Sequence, residues 1–305
     1  MTTPTPLNGA APLPHWGLIR AHGAEAASFL HGQLTNDFAL LDGSHARLAG
    51  YCSAKGRLLA SFIGWKRADD EVLLACSADL LAPTMKRLSM FVLRAKCKLS
   101  DASGQWQLLG LAGPSASTWL GDAAPAAVWG KTGRDGAEII RLPDAAGTLR
   151  YLWAAPTDVT PPDLPALDPA TWRWGEVTSG VVNIEAATVD QFVPQMLNYE
   201  LLGGVDFKKG CYPGQEIVAR SQYRGTIKRR TFLFSSDATA TAGQEVFHSA
   251  DPSQPAGLVA NAAGHSTLVE LKLSALGNGS LHLGSPEGPQ LVQAELPYAV
   301  PVEAA

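Results

Sequence analysis

Apolar residues recur along the chain with two different periods, and these divide it into a mixed first half and an all-strand end. Leu18-Ile19 reads as a short strand and Gly23 as a turn. Glu25 to Leu34 then places Phe29, Leu30, Gln33 and Leu34 near one helical face, with Thr35-Asn36-Asp37 as a polar stop. Leu58 to Trp65 and Glu71 to Cys76 are strand-like runs around the charged turn Lys66 to Asp70. A helix follows, with Leu81, Met85, Leu88 and Phe91 along it and Pro83 in its tolerant first turn. Arg94 to Leu99, Trp106 to Leu111, Ala137 to Leu142 and Thr148 to Trp153 read as strands, and Ser115 to Leu120 as a short helix. Strands with interspersed helices predict an α+β layer of split βαβ type. From Thr231 to Pro301, short apolar runs alternate with Gly, Asn and Ser turns and show no helical period, which predicts a small β-barrel or sandwich. No internal repeat is visible.

Between these parts, Pro156 to Pro169 holds five prolines in fourteen residues and reads as a stiff connector. At 305 residues, two or three domains are expected. Hydrophobic residues make up 46% and charged residues 17%, enough for a real core and against wholesale disorder. No apolar run reaches the roughly 18 residues of a membrane helix. Met1 to Pro14 has neither the basic start nor the apolar middle of a secretory leader. A cytoplasmic, non-membrane protein is the expectation.

The net charge of −4 argues against a broadly basic nucleic-acid coat, yet the charge is segregated. Lys208 to Arg230 holds seven basic residues and one acid, net +6, so the remainder carries −10. Such a segment attracts anions such as RNA phosphates or a polycarboxylate, or it is a solvated face paired with acidic neighbours. Within it, Phe207 to Glu216 (FKKGCYPGQE) crowds two lysines, a cysteine and two glycines into a turn ahead of a helix. Lysines and a helix N-terminus favour the thiolate, so Cys211 is a candidate functional thiol; the alternative is a small residue filling a tight turn. Cys52, Cys76 and Cys97 lack CxxC spacing and read as free thiols, so no metal site is expected. Trp16, Trp172 and Trp174 flank apparent domain junctions, where planar heterocycles often bind, although tryptophan is more commonly core.

The run Lys-Lys-Gly-Cys-Tyr-x-Gly-Gln-Glu at 208–216 resembles the signature of the folate-binding YgfZ family, relatives of the glycine-cleavage T-protein, an aminomethyltransferase. Gly23 to Asp37, Ser53-Ala54-Lys55-Gly56-Arg57, Gln191 to Asn198, Val218-Ala219-Arg220 and Tyr223-Arg224-Gly225 resemble further family blocks in order. The resemblance spans about residues 15 to 230. It implies a three-domain aminomethyltransferase-like ring: a discontinuous folate-binding domain over 12–52 and 171–230, a ferredoxin-like domain over 53–165, and a C-terminal β-barrel over 231–305. It implies a tetrahydrofolate-dependent accessory protein for making or repairing iron–sulfur enzymes, including those that methylthiolate tRNA. The expected functional thiol is Cys211. The expected cofactor contacts are Trp16, Trp172, Lys208, Lys209, Tyr212, Gln215, Glu216, Arg220 and Arg224, and the thiol is expected to face the pteridine hollow.

Expected partners are folate and iron–sulfur client enzymes, with a weak tRNA contact left open; the protein is expected to be a monomer. One departure bears on activity. Aminomethyltransferases carry an acidic pair where Ala60 and Ser61 stand here, and neither side chain can shuttle a proton to or from the folate nitrogen. A one-carbon transferase is therefore the alternative reading, and an RNA-binding module using residues 208–230 a second alternative.

Overall fold

A computed structural model describes residues 6–301 of the chain; residues 1–5 of the leader reading and 302–305 of the expected barrel domain lie outside the described residues. Two five-stranded antiparallel sheets and a closed six-stranded barrel carry the fold. The first sheet is built from β2 (Trp16–His22), β3 (Ala46–Cys52), β4 (Leu58–Ala68), β5 (Glu71–Ser77) and β6 (Lys98–Asp101), with helices α1 (Ala26–His31) and α2 (Ala78–Val92). The second contains β1 (Gly9–Pro12), β7 (Trp106–Ala112), β8 (Lys131–Arg134), β9 (Ala137–Ala145) and β10 (Thr148–Pro156), with α3 (Gly113–Leu120).

The sheet orders, β3-β4-β5-β2-β6 and β8-β9-β10-β7-β1, are the same arrangement twice. In each, a strand leads into a helix, an edge hairpin follows, and the last hairpin strand returns beside the first. The first sheet thereby has the split βαβ topology of a ferredoxin-like unit, within residues 16–101. In the second, the outer place belongs to β1, drawn from the N-terminus. This structural repeat leaves no trace in the sequence pattern. The expected 52/53 domain boundary falls between β3 and β4, which pair along their length.

The two sheets pack face to face. Leu18, Ile63, Trp65, Leu73 and Ala75 of the first meet Ile140, Leu142, Leu152 and Ala154 of the second. The outer face of the first sheet (Ile19, Val72, Leu74, Cys76) is covered by α1 and by α2 through Leu81 and Leu88. The outer face of the second (Leu111, Ile139, Tyr151, Trp153) is covered by α3. Such double-sided burial explains why β5 and β10 read as continuous apolar runs. β3 was not foreseen, because Ala46 to Cys52 neither alternates nor favours strand at Gly50. A Cβ on Gly50 would lie 2.3 Å from Leu58, so glycine there permits close approach of the neighbouring chain. The strand expected at Arg94 to Leu99 starts only at Lys98, since Leu93 ends α2 with φ 43° and the chain turns.

After the proline connector, α4 (Pro169–Thr178) starts with Asp168 accepting from the Thr171 amide, and Pro169 opens the helix. α4 inserts Trp172 among the residues between the two sheets. An extended stretch with short 3-10 turns leads to α5 (Gln215–Tyr223). The barrel then closes through β11 (Arg229–Ser235), β12 (Glu245–His248), β13 (Asp251–Ala263), β14 (Ser266–Lys272), β15 (Leu281–Leu283) and β16 (Gln290–Ala294), in the order β11-β14-β13-β12-β15-β16. No helix among the described residues is long and apolar enough to cross a membrane.

Gly110 on β7 has no side chain because Trp172 occupies that space: a Cβ would lie 2.4–2.5 Å from the indole. Gly110→Ala is expected to destabilise the chain by about 1–3 kcal/mol, read as a lower urea midpoint. An unchanged midpoint would show that the indole is not wedged there.

Candidate functional site

The centre of the junction between the sheets and α4 is a carboxylate. Trp172 and Glu176 lie four residues apart on α4 and so share a face. Glu176 is only 8% exposed, and its Oε1 accepts from the Trp16 indole at 2.8 Å and the Trp172 indole at 3.0 Å. His15 Nε2 reaches its Oε2 at 2.9 Å. Burial raises the Glu176 pKa, but the hydrogen bond and charge of His15 and the Trp16 donor outweigh it, so the group is held below its ordinary value. Beside it stands Arg150, 3% exposed, with its guanidinium 5.0 Å from the centre of the Trp172 ring. Arg150 Nε and Nη2 donate to the Pro143 carbonyl, while Nη1 is buried without a partner. Burial lowers its pKa to about 10, opposed by the charges of Glu176 and Asp144.

Trp16, Arg150, Glu176, Ser179 and Asn183 line a crevice of about 30 Å³. It adjoins a smaller one through Glu176, Val181 and Asn183, where Glu185 and Asn261 of the barrel enter.

A second constellation gathers the blocks around Cys211. Thr35 Oγ1 donates to the Gly204 carbonyl at 2.7 Å and accepts from the Gly50 amide at 2.8 Å. Asn36 Nδ2 donates to the carbonyls of Leu48 and Gly203, and the Asp206 amide donates to the Thr35 carbonyl. The Thr35-Asn36-Asp37 stop thus fastens residues 203–206 to the edge of β3. Lys209 is buried, and its ammonium donates to the carbonyls of His31 and Leu34 at the end of α1. It also lies 4.7 Å from the Tyr212 ring centre. Burial lowers the Lys209 pKa to about 8, against the charges of Asp37, Asp206 and Cys211. Tyr212 is buried, and burial pushes its hydroxyl up. Gly214 (φ +79°) and Gly56 (φ +70°) approach so closely that a Cβ on Gly214 would lie 2.4 Å from the Ser53 carbonyl oxygen. The Ser53–Arg57 block is therefore the seat of the turn that starts α5.

Between the anchored Lys209 and Tyr212, Cys211 is exposed. It lines neither the crevice under Trp16 nor the larger hollow described below. Among the other cysteines, burial pushes Cys52 and Cys76 up to about 12 and Cys97 to about 11. No cluster of three or more metal-ligating side chains exists among the described residues.

Sequence comparison gives the family. A tRNA-modifying protein YgfZ from Edwardsiella ictaluri is 34% identical over 251 residues, covering 74% of this chain and 70% of that protein. The chain belongs to the YgfZ family. A YgfZ protein of Aliivibrio fischeri is 29% identical over 252 residues, covering 80% of this chain and 76% of its own. No protein-family model matches the chain. Among solved structures, the glycine cleavage system aminomethyltransferase T of Bartonella henselae superposes with a TM-score of 0.72 at 16% identity, over 95% of this chain and 85% of its own. The fold is thus the expected aminomethyltransferase-like α+β architecture.

The predicted site residues fall into separate groups. Trp16 and Trp172 converge on Glu176, but Trp172 is 0% exposed and has no free face, so it braces the carboxylate from behind. Lys209 and Tyr212 are anchors, and Gln215 accepts from the Tyr212 amide at 3.3 Å. Lys208, Glu216, Arg220 and Arg224 are exposed, the last three on α5 or at its end. The +6 segment is less free than its composition implies. Arg229 pairs with Glu270, Arg230 with Glu200, and Lys209 is spent on carbonyls. Lys208, Arg220, Arg224 and Lys228 carry the free charge. Sequence reasoning missed His15, Arg150, Glu176 and Asn183. The Trp172-x-x-x-Glu176 spacing was the one available signal, and Arg150 sits in a strand with nothing to mark it.

The lowered Glu176 pKa has a stability consequence. A carboxylate with a lower pKa folded than unfolded adds stability that is present above the unfolded value, about 4.3, and lost as pH falls through the folded value. Glu176→Gln is expected to be less stable than the parent at pH 7, with the gap narrowing toward pH 3 in thermal unfolding. A gap independent of pH would contradict the ionised junction.

Proposed function

We propose that the chain binds tetrahydrofolate or another reduced folate and serves as an accessory factor in tRNA modification, supporting the synthesis or repair of iron–sulfur enzymes that methylthiolate tRNA. The observation that carries the folate part is the unpartnered Arg150 Nη1, buried beside the Glu176 carboxylate beneath Trp16. A buried donor without an acceptor is costly, and a carbonyl-bearing heterocycle supplies one. The residue set fits a pterin: an indole face from Trp16, a guanidinium for its carbonyl, and Asn183 and Glu185 on the adjoining wall. The space is the constraint. At about 30 Å³ the crevice has room for little more than a water, so binding requires Trp16 and the crevice wall to give way. When bound, the reduced pterin would supply one-carbon chemistry that no side chain of this chain offers.

The accessory reading is favoured over the one-carbon transferase by residues 60 and 61. Ala60 has no polar group, and Ser61 Oγ is occupied, accepting from the buried Ile184 amide at 2.9 Å. Neither can exchange a proton with a folate nitrogen. Cys211, exposed on a rigidly seated turn, is the proposed functional thiol. A lone cysteine cannot hold a stable cluster, so its role is a transient contact or a shared ligand set with a client enzyme. Work on tRNA enzymes implies a cytoplasmic protein.

Calorimetry with tetrahydrofolate tests the cofactor reading. Trp16→Ala and Arg150→Met are each expected to weaken binding by about tenfold or more. Unchanged affinity in both would remove this site. Cys211→Ala is expected to fail to restore tRNA methylthiolation in cells lacking the native protein, and full restoration would sink the thiol role.

A further inference from the structure

The largest unexplained feature near α5 is a hollow of about 420 Å³ between that helix, the Val193–Met196 turn and the Gly225–Arg229 segment. Its floor and walls are apolar, from Val193, Met196, Ile217 and Ile227. Ser221 and Thr226 add hydroxyls to the lining, and Gln195 is its one fully buried polar residue. Gln195 is 1% exposed; its Nε2 donates to the Val218 carbonyl at 2.7 Å, which orients the amide and leaves Oε1 buried with no donor. No water reaches Oε1, so a ligand N–H pairs with it only once the Gln195 wall shifts to admit the ligand. The rim carries Arg220 and Lys228, both exposed and forming no ion pair among the described residues, whereas the neighbouring Arg229 is neutralised by Glu270.

From this we infer that the hollow is a nucleotide site. A planar base enters between Met196, Ile217 and Ile227 and donates an N–H to Gln195 Oε1, while its phosphate rests on Arg220 and Lys228. Each feature answers a part of such a ligand. The volume suits one nucleoside, the thioether and branched side chains suit an aromatic face, and the unpaired cations suit a phosphate. The direction of a longer strand also follows from charge. Past Met196 and Arg229 the hollow adjoins a second one, whose lining balances Arg57 and Arg229 against Glu245 and Glu270 and so offers phosphate no net positive charge. A strand would leave the other way, toward the free Arg224 and the exposed ring of Tyr223, which can stack a neighbouring base. The same chemistry is offered by a free nucleotide or by one residue of an RNA. The inference does not depend on folate binding under Trp16, which shares no lining residue with this hollow.

Binding of 5′-AMP and of an unmodified tRNA transcript to the full chain tests the site, by calorimetry and fluorescence anisotropy at two salt concentrations. Two variants at exposed rim positions leave the core untouched: Arg220→Glu with Lys228→Glu, and Thr226→Trp, which fills the hollow. Both are expected to raise the dissociation constant by about tenfold or more. If AMP binds and is lost in both, the site takes a nucleotide as such. If only tRNA binds and is lost in both, the source is a strand, and the charge variant also shows a shallower salt dependence. Absence of binding to the parent overturns the inference. So does a Thr226→Trp variant that binds like the parent, since the patch would then be a surface charge without a pocket.

Discussion

Glu176 holds a charge where water scarcely reaches, and the junction between the sheets depends on how that charge is satisfied. An ionised carboxylate in such a place is tolerated only with several donors aimed at it. Here the donors come from three places in the chain: His15 just before β2, Trp16 at its first residue, and Trp172 one turn earlier on α4. The first two bonds join residues some 160 positions apart and tie α4 to the first sheet. Glycine at 110 makes room for the indole, and Arg150 lies across its other side. The crevice under Trp16 exists because these groups meet there.

The blocks around Cys211 have a different logic. Thr35 and Asn36 are fasteners, Ser53 to Arg57 is a seat for a glycine-to-glycine contact, and Lys209 closes the end of α1. Their combined effect is to hold residues 203–214 rigidly while leaving one thiol outside. Rigid presentation of an exposed thiol suits contact with another macromolecule better than chemistry inside a closed pocket.

Strong local patterns were legible in the sequence. The β4–β5 hairpin, α2 and the strand-rich C-terminal region announced themselves by period and turn residues, and the KKGCYPGQE run marked its own turn. Long-range pairings were not legible. Nothing local tells that β1 completes the second sheet, that the two sheets repeat one arrangement, or that Arg150 ends beneath Trp16. Charge was legible only in part: seven basic residues in one segment read either as an anion-attracting patch or as a face paired with acidic neighbours, and Glu200 and Glu270 from elsewhere neutralise two while backbone carbonyls take a third. Cys211 does not line the crevice that Trp16 lines.

The most direct test of the account is a crystal structure of the chain soaked with tetrahydrofolate. The pterin is expected against Trp16, with its carbonyl on Arg150 Nη1 and the crevice widened beside Glu176. A pterin bound elsewhere on the chain, with Arg150 Nη1 still unpartnered, would contradict it.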